Sequence, residues 1–552
     1  MPQQARNRRR DRAAAARLPP APHPREHGAA TAPGFAPKSG VAIGDDELIE
    51  RVRAYVPAVL HVTGTPGVSL ALGRGGRVVW EEGFGYADLA TRSPMTAEST
   101  AKVGSLSKLY TAIAVMQLVE RGVLDLYRPV NDYVDAFSVI NPLGERHVTI
   151  YDLLTFRSGL AIDTYESDSA PPGPLRDYLA SQFETSWGRE YGGNRARWLA
   201  KTGVEYQYSN LGVATLGYLV EATNPDGLTF PAYVRRHILE PLGMASSAFM
   251  AAEEDPDCLG EVSSRLSVGY ARFDRTYIPT PLVHSAVSPA AGLVTTAGDY
   301  VRLLLAFLND GAGVVSRETA RFMLTPQLQA DHYPELDDSW TGLMFQIANA
   351  DRPDAFFGHG GSFPLGWYHE SRGYPHHDLA IVGLTNKWDL IRWVNPPAEL
   401  APSLIAEFAV SLLAAGAGDR VDVASHSWEW KTAYVMGAML VERCRGLFGI
   451  EASWPERAIK TMIAGTRTID RGVVGNDWDP DGFSRGVADM MGTEMLPDAI
   501  RAFVESPEFA VPSAELPLVA LAFGRRGALP MPMPYFARRA GWGAKPRPND
   551  RG

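Results

Sequence analysis

Apolar positions after Ser105 recur at helical spacing: Leu109, Ala112, Ile113, Met116 and Val119, with Gly122 just past the last of them. Leu, Ala and Met favour helix and a following glycine stops one, so the pattern predicts about five turns opened by Ser105. Upstream, Leu48, Ile49, Val52, Val56 and Leu60 predict an amphipathic helix with Asp45 placed to cap it. The apolar runs 67–72 and 77–80 flank Gly75-Gly76, a hairpin signal, and residues 83–88 extend the second strand. Residues 148–154 read as a short strand running into a helix. Periodic stretches then predict helices with Leu211, Ala214, Leu216 and Leu219, over about 229–240, and with Asp299, Leu303 and Phe307. Beyond residue 340 the texture becomes strand-like at 342–347, 355–359, 366–369 and 379–384, and a helix near 402–415 closes the unit. Strands from both ends of this stretch, with helices between them, predict an α/β (α+β) fold: an antiparallel sheet flanked by helices, plus a helical subdomain.

Four segments follow. Residues 1–42 carry Arg6, Arg8, Arg9, Arg10, Arg12 and Arg17 ahead of a Pro/Ala/His stretch that builds no core, and read as a disordered arm. Residues 43–415 form the main domain, 416–428 a linker, and 429–552 a helical C-terminal extension. Within that extension Asp477-Trp478-Asp479-Pro480-Asp481-Gly482 imitates the start of a calcium loop. Ala488 stands where the bidentate Glu belongs, so an Asx-rich turn is the preferred reading and no metal is assigned.

A net charge of −10 over 552 residues leaves no basic excess for phosphates, which argues against a nucleic-acid partner. The two cysteines, Cys258 and Cys444, are far apart and form no ligand cluster. No run of about 18 apolar residues appears, so no transmembrane segment is expected. Arg9-Arg10 lacks a following apolar stretch, and the expected compartment is the cytoplasm.

Ser105 and Lys108, three positions apart, share one helix face. A serine hydroxyl needs a base within reach, a partly buried lysine can be one, and a helix start offers free N–H groups to an oxyanion. Alone, Ser-x-x-Lys is common. Two later segments change its weight: Tyr208-Ser209-Asn210 ahead of a helix, and His359-Gly360-Gly361 on a strand.

Taken together and in that order, the three segments resemble those of the serine β-lactamase and penicillin-binding superfamily. The resemblance is to its class C-like branch, which includes class C β-lactamases, D-amino-acid-specific peptidases and family VIII carboxylesterases. Residues 240–244, Gly292-Leu293 before Thr295-Thr296, and Thr385-Asn386 agree with it, over roughly residues 45–415. The resemblance implies Ser105 as acyl-accepting nucleophile, Lys108 and Tyr208 as proton-handling catalytic partners, and Asn210 beside Lys108 and the acyl group. It also implies an oxyanion hole from the N–H groups of Ser105 and Ser362, with His359 and Gly361 on the substrate side; no cofactor or metal is implied. A tyrosine ionises near pH ~10 in water, so a neighbouring ammonium is needed to make Tyr208 useful.

Two departures shape the expected substrate. His359 stands where β-lactamases and transpeptidases usually carry Lys, and a largely neutral imidazole grips a carboxylate less well. Many relatives also carry Leu-Thr-His-Thr-Ser-Gly-Leu where this chain has Leu154-Thr155-Phe156-Arg157-Ser158-Gly159-Leu160. The resulting expectation is a serine hydrolase of carboxylic esters or related amides, with a small-molecule substrate. β-Lactamase or D-peptidase activity, acyl transfer to an alcohol, and a non-catalytic scaffold are the alternatives. The extension is expected to cover the core domain, roof the site or form a homo-oligomer face.

Overall fold

The computed structural model describes residues 43–416 except 162–166, 169–172, 184–197, 252–255, 274–275, 281–283, 328–338, 349–353, 364–365 and 390–399, together with 473–474 and 477–478. In chain order the elements used below are α1 (Asp45–Thr63), β1 (Gly67–Arg74), β2 (Arg77–Asp88), β3 (Ser93–Pro94), β4 (Ala101–Lys102), α2 (Ser107–Glu120), α3 (Ile150–Leu154) and α4 (Asn210–Thr223). They continue with β5 (Leu293–Thr295), α5 (Ala297–Leu308), β6 (Ser339–Thr341), β7 (Gln346–Ala348), β8 (Phe356–Phe363), β9 (Trp367–Tyr374), β10 (Leu379–Thr385) and α6 (Leu400–Gly416).

The main sheet is eight-stranded and antiparallel, in the order β6-β7-β8-β9-β10-β1-β2-β3. The N-terminal hairpin thus pairs along β1 with β10, as the strand pattern at the two ends predicts. Gly75 and Gly76 both take positive φ, 59° and 71°, which a two-residue hairpin turn of this hand requires. Helices cover both faces. A side chain at Gly73 would strike Leu305 of α5, and one at Gly383 would meet Pro402 of α6. Gly73 is opposite Ala380, and residues 380 and 383 differ in parity, so α5 and α6 lie on opposite faces. That explains why β1 and β10 are apolar almost throughout instead of alternating.

Helix α2 is buried on every side from Ser107 to Val119, packed against α4 and the turn Ser288–Ala291. The apolar stripe read from sequence therefore understates it: α2 is the central helix of the core, buried all round. Other boundaries move for identifiable reasons. Gly44, not Asp45, holds the N-cap position of α1, and the Asp45 carboxylate instead pairs with Arg74 and Arg77. Residues 148–154 are not a strand: a capping box of Thr149 and Asp152 starts α3 directly. The 229–240 helix is broken into Phe230–Val234, a π-turn at Arg235–Leu239, and Glu240–Leu242. Of the 342–347 strand only Gln346 and Ile347 are strand, in β7; residues 342–345 turn between β6 and β7, with Met344 in left-handed conformation.

Chain contacts divide the molecule into two units, residues 1–392 with 397–423 and residues 393–396 with 424–552. The 1–42 arm, the 416–428 linker apart from Gly416, and the helical reading of 429–552 lie outside the described residues. The four described residues of the second unit pair as two short strands, Val473–Val474 with Asp477–Trp478.

Candidate active site

The Ser105 segment begins at β4, held by pairing of Lys102 with Val294 of β5. Gly104 then takes φ +55° and opens a single 3₁₀ turn, Gly104–Leu106, that runs into α2. Ser105 therefore sits one turn earlier than a regular helix start, in a tighter turn than the periodicity predicts. Three carbonyls of this segment are held by side chains. His369 Nε2 donates to Lys102 O at 2.9 Å, Ser107 Oγ to Gly104 O at 2.6 Å, and the Tyr300 hydroxyl to Leu106 O at 3.1 Å.

Two groups converge on Ser105 Oγ. Lys108 Nζ lies 2.9 Å away and also donates to the carbonyl of Ala290 at 3.0 Å. The Tyr208 hydroxyl lies 2.8 Å from the same Oγ. Ser105 and Lys108 are buried, whereas Tyr208 is half-buried and keeps an opening toward solvent. Lys108 Nζ is also 4.9 Å from the centroid of the Tyr208 ring, so the same amine stands beside the phenol as well as beside the serine. Tyr208 ends an irregular segment, after which Ser209 caps α4 by accepting the N–H of Gly212. Asn210, the first residue of α4, is buried two positions beyond Tyr208.

The third segment lies on β8. Strand β7 covers only Phe356–Gly358, so the edge of β8 from His359 to Phe363 runs past the end of β7. Gly360 N donates to the side chain of Gln346 at 3.2 Å and so points away from β9. Strand alternation puts the Ser362 N–H on that same edge, where the Gly104 turn approaches. A methyl on Gly104 would fall 2.1 Å from the Ser362 carbonyl, and one on Gly361 would fall 2.3 Å from that of Val103. Both glycines are required by this contact. The Ser105 amide sits in the first turn of a helical segment, where N–H groups lack an intrahelical acceptor. The two donors implied for an oxyanion hole therefore belong to segments in direct contact.

His359 is buried, its ring centroid 6.4 Å from that of Tyr208, with Nδ1 hydrogen-bonded to the Gly360 carbonyl. Burial, and secondarily the Lys108 charge, push its pKa down to about 4, so it is uncharged at neutral pH. The cationic grip that Lys supplies at this place in β-lactamases is absent from this position.

Four contributors escape a motif reading: the Ala290 carbonyl, Phe156, Tyr300 and His369. Phe156 stacks on Tyr208 at 4.6 Å between ring centroids and 26° between planes. The departure at Phe156 from the relatives' Leu-Thr-His pattern was the signal for it. The other three carry no local signal because their roles come from long-range packing. Among the described residues, no group of three or more His, Cys, Asp or Glu side chains could hold a metal ion, and no helix is long and apolar enough to cross a membrane.

The model of the Beta-lactamase family matches residues 52–399, well over half of the chain. The chain belongs to the beta-lactamase family. A 145-residue stretch is 36% identical to the serine beta-lactamase-like protein LACTB, mitochondrial, of Mus musculus, covering 26% of each chain. The chain thus spans about a quarter of the length of that curated relative. The fold resembles that of the octameric penicillin-binding protein homologue from Pyrococcus abyssi, with TM-score 0.54 and 23% identity over 72% of this chain and 81% of that one. It also resembles EstCE1, a hydrolase with promiscuous acyltransferase activity, with TM-score 0.50 and 22% identity over 66% and 99% of the two chains. The expected α+β architecture, an antiparallel sheet with flanking helices, is that of this beta-lactamase-family protein.

Proposed function

We propose that this family member is a serine hydrolase that works through an acyl-enzyme on Ser105, with neutral carboxylic esters or related amides as substrates. The observation that carries the reading is the pair of short contacts on one oxygen: Lys108 Nζ at 2.9 Å and the Tyr208 hydroxyl at 2.8 Å from Ser105 Oγ. Ser105 Oγ attacks the substrate carbonyl, and its proton passes to whichever of the two partners is unprotonated. The N–H groups of Ser105 and Ser362 receive the oxyanion. Collapse expels the alkoxide, which takes a proton from Tyr208. Water then attacks the acyl-enzyme, returns a proton through the same pair, and releases the carboxylic acid with Ser105 restored. The family resemblance assigns Asn210, buried at the start of α4, to the acyl side of this pair. Gly361 lets the β8 edge close on Val103 and Leu106 so that the Ser362 N–H can reach the site. A neutral His359 supports uncharged esters over substrates that need a cation for their carboxylate.

The test combines labelling with turnover. A fluorophosphonate is expected to add one adduct mass to the wild type and none to Ser105→Ala. Short p-nitrophenyl esters are expected to turn over faster than a chromogenic cephalosporin. An unlabelled, folded wild type points to a scaffold, and faster cephalosporin turnover points to a β-lactamase.

A further inference from the structure

The oxyanion hole just proposed is assembled from two segments distant in sequence, and the contact between them contains a buried histidine. His369 lies on β9 directly opposite Gly361 of β8. Paired residues on antiparallel strands share a face. On that face Gly361 leaves room for Val103 and Leu106: a methyl there would lie 2.3 Å from the Val103 carbonyl and 2.2 Å from Leu106 Cδ1. Beside this gap His369, fully buried, reaches Lys102 O with Nε2 at 2.9 Å. Lys102 is three residues before Ser105, and Gly361 is one before Ser362.

We propose that His369 is a positioning residue: its bond to the Lys102 carbonyl sets the gap between the Ser105 and Ser362 amides. The proposal rests on the Ser105 acyl-enzyme reading. The contacts at Gly361 and Gly104 are close approaches that limit how near the two segments come. A hydrogen bond adds direction and limits how far they part. Burial brings the His369 pKa down to about 4, so at neutral pH the ring is an uncharged donor committed through Nε2. Its Nδ1 is buried with no hydrogen-bond partner among the described residues. Such a nitrogen costs stability, and a leucine would fill the same volume without that cost. What leucine lacks is the donor.

The substitutions His369→Leu and His369→Gln separate the donor from the packing, because the glutamine amide nitrogen can take the place of Nε2. With a p-nitrophenyl ester, His369→Leu is expected to lower kcat about ten- to a hundredfold, the scale of a small misplacement of reacting groups. KM should stay within about threefold, and His369→Gln should recover most of kcat. The melting temperature should shift by only a few degrees, because the lost Lys102 partner and the removed unpaired Nδ1 offset each other. Independently of turnover, amide hydrogen exchange over residues 102–106 should quicken in the leucine variant and not in the glutamine variant. Wild-type kcat and unchanged exchange in His369→Leu would overturn the proposal. Equal losses in both variants would do the same. Should the wild type prove inert toward esters, the functional reading fails by itself, and the exchange comparison still decides whether His369 ties the two segments.

Discussion

Tyr208 is positioned by contacts of two kinds, one chemical and one steric. Its hydroxyl meets Ser105 Oγ at 2.8 Å, and its ring stacks on Phe156, a non-glycine residue held at φ +56°. A left-handed conformation costs such a residue about 1–2 kcal/mol. It is maintained here by the Gln207 N–H, which donates to the Phe156 carbonyl at 2.7 Å, and by burial of the ring. Strain of this kind next to reactive groups is a recurring way of fixing an aromatic side chain. Tyr208→Phe removes the oxygen and keeps the stack. Its kcat should fall roughly 10²–10⁴-fold, the usual contribution of a positioned proton-transfer group, with little change in KM or melting temperature. Steady-state kinetics with a p-nitrophenyl ester checks this, and an unchanged kcat would remove Tyr208 from the mechanism. Ser105, Lys108 and Tyr208 were legible as a set because their chemistry is carried by residue type and order. Phe156 was visible only as a departure, and its use as a stacking surface depends on a backbone conformation that periodicity does not report.

At the scale of elements, the site is a meeting of one helix start with one strand edge. The 3₁₀ turn before α2 lies against β8 closely enough that Gly104 and Gly361 both lack room for a methyl group. Gly361→Ala would drive its Cβ to 2.3 Å from the Val103 carbonyl, so the strand and turn must part. Turnover should fall at least about tenfold, since even a 1 Å misplacement can cost about 10². Stability should fall by about 1–3 kcal/mol, the usual scale of an overpacked contact. Ester kinetics and chemical denaturation read the two effects separately. An alanine variant with wild-type kcat would show that the edge of β8 plays no part in the reaction. The glycines marked a close approach in the sequence, but not the partner: that is a turn more than 250 residues earlier in the chain.

Over the whole molecule, the sheet joins strands from both ends of the family domain and α2 runs through the core, so the buried His359 and His369 meet water only when the domain unfolds. Its histidines then set a pH dependence. His359 and His369 are each held near 4 by burial, against about 6.5 in an unfolded chain. Between these values the unfolded chain binds more protons than the folded one, so stability rises with pH across that window. It is complete above about pH 6.5 and is lost as the pH falls. By pH 5 the loss should reach about 2 kcal/mol for each histidine, before most carboxylates titrate. Denaturant midpoints between pH 5 and 7 measure the slope, and His369→Gln should flatten it by about half. An unchanged slope would mean that folding does not lower the His369 pKa.

The amino-acid sequence by itself determined the family, the α+β class, the strand pairing of the two ends and the residues proposed to carry the chemistry. Those depend on residue type, order and local period. Tertiary structure alone decided how close these groups stand. It turned a regular helix start into a tight turn and buried α2 on every side. It also supplied the Ala290 carbonyl to Lys108 and enlisted Phe156, Tyr300 and His369 around the site. Each of these contacts joins segments remote in the chain, and local periodicity carries no information about which buried side chain meets which backbone carbonyl. Packing alone settles that.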